Sequence, residues 1–299
     1  MAERVIVAVD GGPAGDMALE WVIDRAKTVE LFLEITAVVP IDLDAPLGPD
    51  AEFRGDYEDA LLAAKKKVTD VLPLLAVTTK IRRGLAHEEL KTASRRADLL
   101  VVGSNKTSSM AGLAYGTLAL KVAGKARCIT IVVPVDWKRS TGKVVAGWAA
   151  DETGDAALDF AAREAVQRHA NLTIVHAWSA PLAAPMQESA SAMVVDEVLT
   201  GERVLLDEAA GRISREHPGL DVIHALHPGS AAVAIIRAAS EASLVVVGSR
   251  GRGAVAGFFL GSVSHDVLLN MPAPVAVVPR AEVAVDVYPE LVETDSPYS

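Results

Sequence analysis

The strongest constraint on the fold of this chain is a glycine-rich motif that directly follows a short apolar run. Residues 244–247 are apolar throughout, and Gly248 comes next. Gly251 follows after two residues, and Gly261 with Ser262 follows after nine more. Glycine loops and helix N-termini present unpaired backbone amides that bind anions. A strand, this loop and a helix beginning near Gly261 therefore predict a phosphate-binding site.

The first half of the chain carries an altered copy of the same motif. Residues 99–102 form the apolar run, Gly103 follows it, and Gly116 with Thr117 keeps the spacing of the last glycine pair. Lys106 stands where the second half has its second glycine. A motif that occurs twice indicates an internal repeat, which has to be identified before any fold is assigned.

Alignment of the chain with itself extends this repeat over almost its whole length. Residues 15–26 align with 154–165 at an offset of 139 residues, and the offset is 145 residues in the later segments. The change in offset predicts a short insertion in the second half, between its second strand and the turn at Gly229, because surface loops tolerate insertions at little cost. The later aligned segments are 84–104 with 229–249 and 116–134 with 261–279.

The length of the chain fits the same division. A chain of 299 residues is long enough for two domains of roughly 150 residues, each with its own core. We predict a first domain over residues 1–135, a linker over 136–142, a second domain over 143–280 and an acidic tail over 281–299. A solvated tail is favoured over a docking segment.

Charge and cysteine content narrow the classes of function. The formal net charge of −10 argues against nucleic-acid binding, which requires a basic face. No apolar run reaches the roughly 18 residues of a membrane span, and the N-terminus lacks a signal-peptide pattern, so we expect a soluble protein that is not exported. The single cysteine, Cys128, excludes an internal disulfide and suits the reducing cytoplasm. A buried, unreactive Cys128 is the favoured interpretation.

The order of apolar runs and helical patterns predicts the fold class. Runs such as 5–9, 99–102 and 129–133 are continuously apolar, as expected of parallel strands covered on both faces. Between them apolar residues recur at helical spacing, and Trp21 and Phe160 are expected in the core rather than against a ligand. Each half then forms a five-stranded, doubly wound α/β domain, with a ligand crevice at the carboxyl ends of its first and fourth strands. The first-helix stripes are Met17, Ala18, Trp21, Val22 and Ala26, and Ala156, Ala157, Phe160, Ala161 and Ala165.

The residues of the second-half motif suit a phosphate group. Gly248 and Gly251 allow close approach of the backbone, and Arg250 adds positive charge beside the loop. Residues 262–264 supply amides and hydroxyls where the next helix begins. The spacing is that of neither a Walker loop nor the dinucleotide fingerprint. A glycine-rich turn that serves only tight packing is the alternative.

Taken together, these residues resemble a tandem universal stress protein. The nucleotide-binding members of that family are marked by glycine, two residues, glycine, nine residues and then Gly-Ser or Gly-Thr, and the second half matches every marked position. The opening VIVAVDGG, the turns at Gly84 and Gly229 and the closing apolar strands are also typical of the family. The resemblance covers residues 3–280 and omits only the tail.

This resemblance implies a ligand and a mode of association. It implies ATP or another adenine nucleotide, alone or with Mg²⁺, bound at the ends of the first and fourth strands. It also implies pairing of the two halves through their last strands, and association of two chains into a homodimer. The implied nucleotide contacts are Ala177, Val247, Gly248, Arg250, Gly251, Gly261, Ser262, Val263 and Ser264 in the second half, with Asp10, Val38, Gly103, Gly116 and Thr117 as weaker candidates in the first.

The second half departs from the family pattern at its nucleoside contact. Family members that bind nucleotide have an aspartate at the end of the first strand, and Asp10 supplies it in the first half. Its counterpart in the second half is Ala149. Asp151 lies two residues further along and could reach inward, although it aligns with Gly12.

The first half departs from the pattern at its phosphate loop. Lys106 would either block the close backbone approach or add a phosphate-pairing charge, and steric reasons favour blocking. Ala119 stands where the second half has Ser264. We therefore predict that nucleotide binds mainly to the second half.

A catalytic role has little support in the sequence. The seven histidines show no metal-ligand spacing, so neither catalytic nor metal-binding residues are predicted. His265 is expected to point outward, and residues 10–14 lack the Ser-Gly-Gly-x-Asp-Ser loop of related ATP-dependent ligases. Three functions remain: a non-catalytic nucleotide-binding stress protein, which is favoured, an interaction protein with degenerate sites, and a slow ATPase.

Overall fold

A computed structural model describes residues 2–40, 51–105, 117–179, 188–249 and 260–280 of the chain. Strands and helices alternate along the first half as predicted. Helix α1 begins with Pro13, whose fixed φ suits the first turn, and Gly12 precedes it as the N-cap residue. The elements of this half are β1 (Glu3–Ala8), α1 (Pro13–Ala26), β2 (Leu31–Val39), α2 (Ala51–Val71), β3 (Val77–Arg83), α3 (Ala86–Ser94), β4 (Leu99–Ser104), α4 (Thr117–Lys125) and β5 (Ile129–Pro134).

The second half repeats this order. Its first helix is capped at its N-terminus by Asp151, and at its C-terminus the cap residue His169 adopts the left-handed conformation with φ 52°. The elements are β6 (Val144–Gly147), α5 (Glu152–Arg168), β7 (Leu172–Trp178), α6 (Glu188–Glu216), β8 (Val222–Pro228), α7 (Ala231–Ala238), β9 (Leu244–Gly248), α8 (Ser262–Leu269) and β10 (Val275–Val278).

All strands of the described residues form one sheet in the order β3-β2-β1-β4-β5-β10-β9-β6-β7-β8. Neighbouring strands within each half are parallel, so the predicted doubly wound α/β class is confirmed. β5 and β10, the last strands of the two halves, pair antiparallel. The carboxyl ends of β1–β5 therefore lie along one edge of the sheet, and those of β6–β10 lie along the opposite edge.

Helices cover both faces of this sheet. On one face α1 and α5 bury Trp21 and Phe160, which are 1% and 4% exposed. On the other face α4 and α8 bury Val122 and Val267. Complete burial of such a side chain stabilises the fold by about 1.5–3 kcal/mol. The prediction that Trp21 and Phe160 are core residues is therefore confirmed.

The prediction of a buried stripe on α5 was wrong for one residue. Ala156 is exposed, whereas Ala157 and Ala161 are buried. The buried face of α5 is rotated toward Leu158 and Ala162, because these positions share a face with 157 and 161 at helical spacing and point at the sheet.

The β5–β10 pair reveals the symmetry of the molecule. Ile131 of β5 is the pairing partner of Ala276 of β10. These two residues occupy the same position of the repeat, so an approximate twofold axis passes between them. Helix α1 packs on β5 and α5 packs on β10, which places the two first helices on either side of this axis.

Candidate functional site

The strand order places one crevice in each half. The order reverses between β1 and β4 in the first half and between β6 and β9 in the second. Loops that leave the carboxyl ends of such strands diverge to opposite faces of the sheet and leave a space between them, where open α/β sheets bind ligands. Asp10 follows β1, and Gly248 ends β9.

Backbone hydrogen bonds close the base of the second-half loop. The amide of Ser249 donates to the carbonyl oxygen of Val278 at 2.7 Å, and the amide of Gly261 donates to the carbonyl oxygen of Ser249 at 2.7 Å. Residues 250–259 of this loop lie outside the described residues, and with them Arg250 and Gly251. The two described ends of the loop are thus tied together at the end of β9.

Helix α8 starts at this closed base. Gly261 is its N-cap residue, with φ −70° and ψ 158°, and within the described residues no side chain caps the helix. The amides of Ser262, Val263 and Ser264 belong to the first turn, where a helix has no internal acceptor for them. They carry the partial positive charge of the helix N-terminus, which favours an anion.

Ser264 has a different role from the one expected. Its side chain is only 2% exposed, and its hydroxyl lies within donating distance of the carbonyl oxygens of Ser249, at 3.2 Å, and Gly261, at 3.0 Å. The hydroxyl proton is therefore engaged by the loop base, while Ser262 is exposed at the helix end. Of the two hydroxyls, that of Ser262 is the one open to a phosphate.

The first glycine of each motif is required by packing. A Cβ at Gly103 would lie 1.9 Å from the carbonyl oxygen of Ala14, in the first turn of α1. A Cβ at Gly248 would lie 2.6 Å from Cγ2 of Thr153, in the first turn of α5. Each glycine thus lets the first helix of its half approach the end of the fourth strand. The packing interpretation of the glycine-rich turn holds for these two positions.

Asp10 is placed at the first-half crevice. Its side chain is exposed, and Oδ1 accepts a hydrogen bond from the amide of Gly12 at 3.0 Å. Gly11 between them has φ +77°, a left-handed conformation that glycine adopts without strain. The turn holds the carboxylate at the end of β1, where it can accept from a hydroxyl or an amine.

Asp151 does not take the place of Asp10 in the second half. Its Oδ1 accepts from the amide of Gly154 at 2.8 Å and so caps α5. Its Oδ2 is buried without a hydrogen-bond partner among the described residues. The carboxylate is turned toward the helix, and Ala149 at the end of β6 presents only a methyl group.

The ends of β6 and β7 hold a polar cluster that no sequence motif predicted. His176 Nδ1 lies 3.0 Å from the carbonyl oxygen of Trp148, and Nε2 lies 2.8 Å from Oε2 of Glu202. Trp148 Nε1 donates to Oδ1 of Asp155 at 3.0 Å, and the Trp148 and His176 rings meet edge to face. A carbonyl oxygen and a carboxylate oxygen thus flank the two ring nitrogens of His176. The available signal was a tryptophan directly after β6 and a histidine near the end of β7.

The structure locates the remaining predicted residues. Ala177 and Val38 lie near the carboxyl ends of β7 and β2, the two strands next to β6 and β1. Val247 lies near the end of β9 and is buried. Thr117 begins α4, whereas Gly116 and Lys106 lie outside the described residues.

Histidine and acidic side chains form no metal centre in the described part of the chain. No group of three or more His, Cys, Asp or Glu side chains is arranged there to hold a metal ion. His265 is exposed, with its Nδ1 3.3 Å from Oδ1 of Asp266. None of the described helices is both long enough and apolar enough to cross a bilayer.

Comparison with known proteins assigns the family. A model of the universal stress protein family matches residues 1–134 and again residues 140–279. The chain belongs to the universal stress protein family. Among tandem-sized members, the universal stress protein Rv1996 of Mycobacterium tuberculosis is 28% identical over 298 residues, covering 91% of this chain and 94% of its own. Rv2623 of the same organism is 27% identical over 286 residues, with coverages of 91% and 95%.

A solved structure of the family shares the architecture. The universal stress protein from Archaeoglobus fulgidus superposes with a TM-score of 0.68 at 20% identity, covering 93% of this chain and 98% of the other. At this identity the likeness concerns the fold alone. The two-domain universal stress protein fold is thereby supported by both sequence and structure.

Proposed function

We propose that this universal stress protein binds an adenine nucleotide such as ATP without catalysing a reaction on it, and that the second half is the main site. The nucleotide state would then alter the surface that the protein offers to partners. The observation that carries the proposal is the uncapped N-terminus of α8, held beside the end of β9 by the Ser249–Gly261 hydrogen bond of 2.7 Å.

The geometry of the second half fits phosphate groups. The first-turn amides of α8 are fixed by the helix, so binding an anion requires little ordering of the backbone. The exposed hydroxyl of Ser262 adds a donor, and the sequence of the same motif includes Arg250 and Gly251. The nucleoside has fewer polar contacts, because Ala149, at the position equivalent to Asp10, has no polar side-chain group.

The first half supports a weaker site. Asp10 is available at the end of β1, but Lys106 replaces the glycine of the loop. Ala119, at 4% exposure, replaces Ser264 and lacks the hydroxyl that ties the loop base in the second half. We infer that this half binds nucleotide weakly or serves mainly as the partner of the second half.

Calorimetric titration with ATP tests the assignment to the second half. Gly251→Lys copies the first-half residue into the second half and should abolish the tight site. The matched control, Lys106→Gly, makes the opposite change in the first half. It should leave the tight site of the second half intact, and it could add a second site in the first half. If wild type and Gly251→Lys bind ATP with equal affinity, the loop that contains Gly251 does not bind the phosphate groups and the proposal is contradicted on this point.

Two further measurements separate binding from the alternatives. Heat-released ligand from freshly purified protein, identified by chromatography, should be an adenine nucleotide. A protein that is empty and also fails to bind added ATP, AMP or cyclic AMP would favour an interaction protein. Release of phosphate over hours, compared with a Gly251→Lys control, would reveal a slow ATPase, and we expect no difference between the two.

Association and location belong to the same proposal. We propose a cytoplasmic protein whose tandem chains associate into homodimers. Mass measurement by light scattering across a range of protein concentrations tests the association, and cell fractionation tests the location.

A further inference from the structure

The approximate twofold axis brings a second pair of equivalent residues together. A residue on a twofold axis faces its own counterpart in the other half. Arg25 of α1 and Glu164 of α5 are 139 residues apart, the offset of the repeat in this region, and they form a buried hydrogen bond. Arg25 with Glu164 and Ile131 with Ala276 are therefore two pairs in which equivalent positions of the two halves contact each other across the axis.

The charges near the axis alternate in sign. Arg25 Nη1 lies 2.7 Å from Oε1 of Glu164, and these side chains are only 4% and 2% exposed. On the outer side of each, Arg25 Nε lies 2.7 Å from Oε2 of Glu3, and Glu164 Oε2 lies 3.1 Å from Nη2 of Arg168. The row runs negative, positive, negative, positive, with the first two charges from one half and the last two from the other.

Only unlike halves can complete this row. Two first halves would bring two buried guanidinium groups together, and two second halves would bring two buried carboxylates together. Burial lowers the pKa of Arg25, but the charges of Glu164 and Glu3 outweigh it and raise the pKa, so the guanidinium stays charged. Like charges in contact away from water are strongly unfavourable, and losing the partner of a buried charge is costly as well.

The second axis position discriminates by size. Ile131 and Ala276 are both fully buried, and as register partners on neighbouring strands they place a large side chain beside a small one in the same core cluster. Two isoleucines there would overpack the core, and two alanines would leave a cavity. Trp21 adds a one-sided contact, because Arg168 of the other half stacks on it at 5.6 Å.

We propose that these two axis positions make each half of the chain complementary to the other half and incompatible with its own copy. The surface formed by α1 and β5 then has one partner, the α5 and β10 surface, and two chains cannot pair through equivalent halves at this face. Opposite charge and unequal size at positions that would be identical in a symmetric dimer direct each half to its unlike partner.

A disulfide trap at full length tests this selectivity. Gln167 is exposed and, with Arg25 and Glu164, lines a cleft of about 130 Å³ beside the axis. Gln167→Cys in a Cys128→Ala background carries one thiol per chain, so a disulfide can form only between two second halves. A second version of this chain also carries exchanges that reverse the whole charge row and the size pair, so that the two halves of one chain stay complementary. These exchanges are Glu3→Arg, Arg25→Glu, Glu164→Arg, Arg168→Glu, Ile131→Ala and Ala276→Ile.

The two versions are refolded under oxidising conditions, separately and mixed. Disulfide dimers of one parent and one exchanged chain should be several-fold more abundant than dimers of two identical chains, because only the mixed pair matches equivalent halves. Equal yields of mixed and identical dimers would overturn the proposal. The thiol traps even short-lived encounters, so the linker within each chain does not hide the preference.

A smaller change guards against misfolding of the exchanged chain. Glu164→Gln removes the carboxylate repulsion between two second halves, and it should raise the yield of disulfide dimers of that chain several-fold over the parent. Arg25→Gln is the matched control, because it breaks the same pair within one chain but leaves two carboxylates facing each other in a pair of second halves. It should raise the yield less than Glu164→Gln does, and an equal rise would contradict the proposal. No rise with Glu164→Gln would overturn the proposal whatever the exchanged chain does.

Discussion

The hydroxyl of Ser264 lies 3.2 Å from the carbonyl oxygen of Ser249, a residue 15 positions earlier in the chain. It thereby joins the first turn of α8 to the end of β9 and holds together the two described ends of the loop that connects them. The neighbouring hydroxyl of Ser262 is exposed and takes no part in this closure. The two serines of one motif thus have separable roles.

Alanine substitutions should separate these roles. Ser264→Ala should lower the free energy of unfolding by about 1 kcal/mol, because one buried hydrogen bond is lost. Ser262→Ala should leave stability unchanged and weaken ATP binding by about three- to tenfold, the effect of one hydrogen bond. Urea unfolding and calorimetry measure the two quantities. A loss of affinity without loss of stability in Ser264→Ala would reverse the assignment.

The two motif glycines should differ in their tolerance of alanine. Gly103→Ala should destabilise the protein by about 1–3 kcal/mol, because the new Cβ meets the backbone carbonyl of Ala14. Gly248→Ala should cost less, since the obstacle is the side-chain methyl of Thr153. Urea unfolding curves of the two variants give the comparison.

Gly55→Ala is the matched control for this pair. A Cβ added to Gly55, in α2, would meet no other atom within 4 Å, so alanine should raise stability by about 0.5–1 kcal/mol through helix propensity alone. Destabilisation by Gly248→Ala as large as by Gly103→Ala would contradict the packing interpretation.

Cys128 should make stability depend on alkaline pH. Burial, with a smaller contribution from the Asp98 charge, raises the pKa of the Cys128 thiol to about 12. The unfolded thiol titrates near pH 8.5, so above that pH the unfolded state loses a proton that the folded state keeps. The thiol's contribution is therefore complete below about pH 8.5 and falls by about 1.4 kcal/mol per pH unit above it.

The Cys128→Ala variant isolates this effect. Alanine is the natural residue at the equivalent position, Ala273, so the variant should fold. The difference in unfolding free energy between wild type and variant should change with pH above about pH 9, and native Cys128 should react with alkylating reagents only after unfolding. A constant difference would show that the thiol ionises in the folded state.

Ala149→Asp should restore a nucleoside contact to the second half. A carboxylate at the end of β6 would stand where Asp10 stands at the end of β1, and it should tighten the binding of adenosine nucleotides measured by calorimetry. Asp10→Ala is the control and should leave the tight site unchanged. If Ala149→Asp binds no more tightly than wild type, another group already serves the nucleoside.

The repeat and its apolar runs predicted the fold well. Continuous runs such as 99–102 and helical stripes such as that containing Trp21 depend on local spacing, which is legible in one sequence. The repeat added information, because a strand or helix predicted in one half predicts the equivalent element in the other. Ala156 was the exception, because a stripe of alanines does not define which side of a helix faces the sheet.

The candidate site was less predictable because its chemistry depends on contacts between distant residues. Asp151 could be assigned to the crevice or to a helix cap from its sequence neighbours, and only the amide of Gly154 decides between them. Arg25 and Glu164 would be placed on the surface by charge alone. The available signal was their occurrence at one repeat position with opposite charge.

The antiparallel contact of β5 with β10 also determines which crevice a partner protein can contact. The crevices of the two halves open on opposite edges of one continuous sheet. Across the strands they are offset by about four strand spacings, or about 19 Å, and the length of the strands separates them further. A partner protein bound to one edge of the sheet would contact the crevice of one half and would not contact the crevice of the other. The molecule therefore has two distinct edges, and a ligand bound in the second half would contact only one of them.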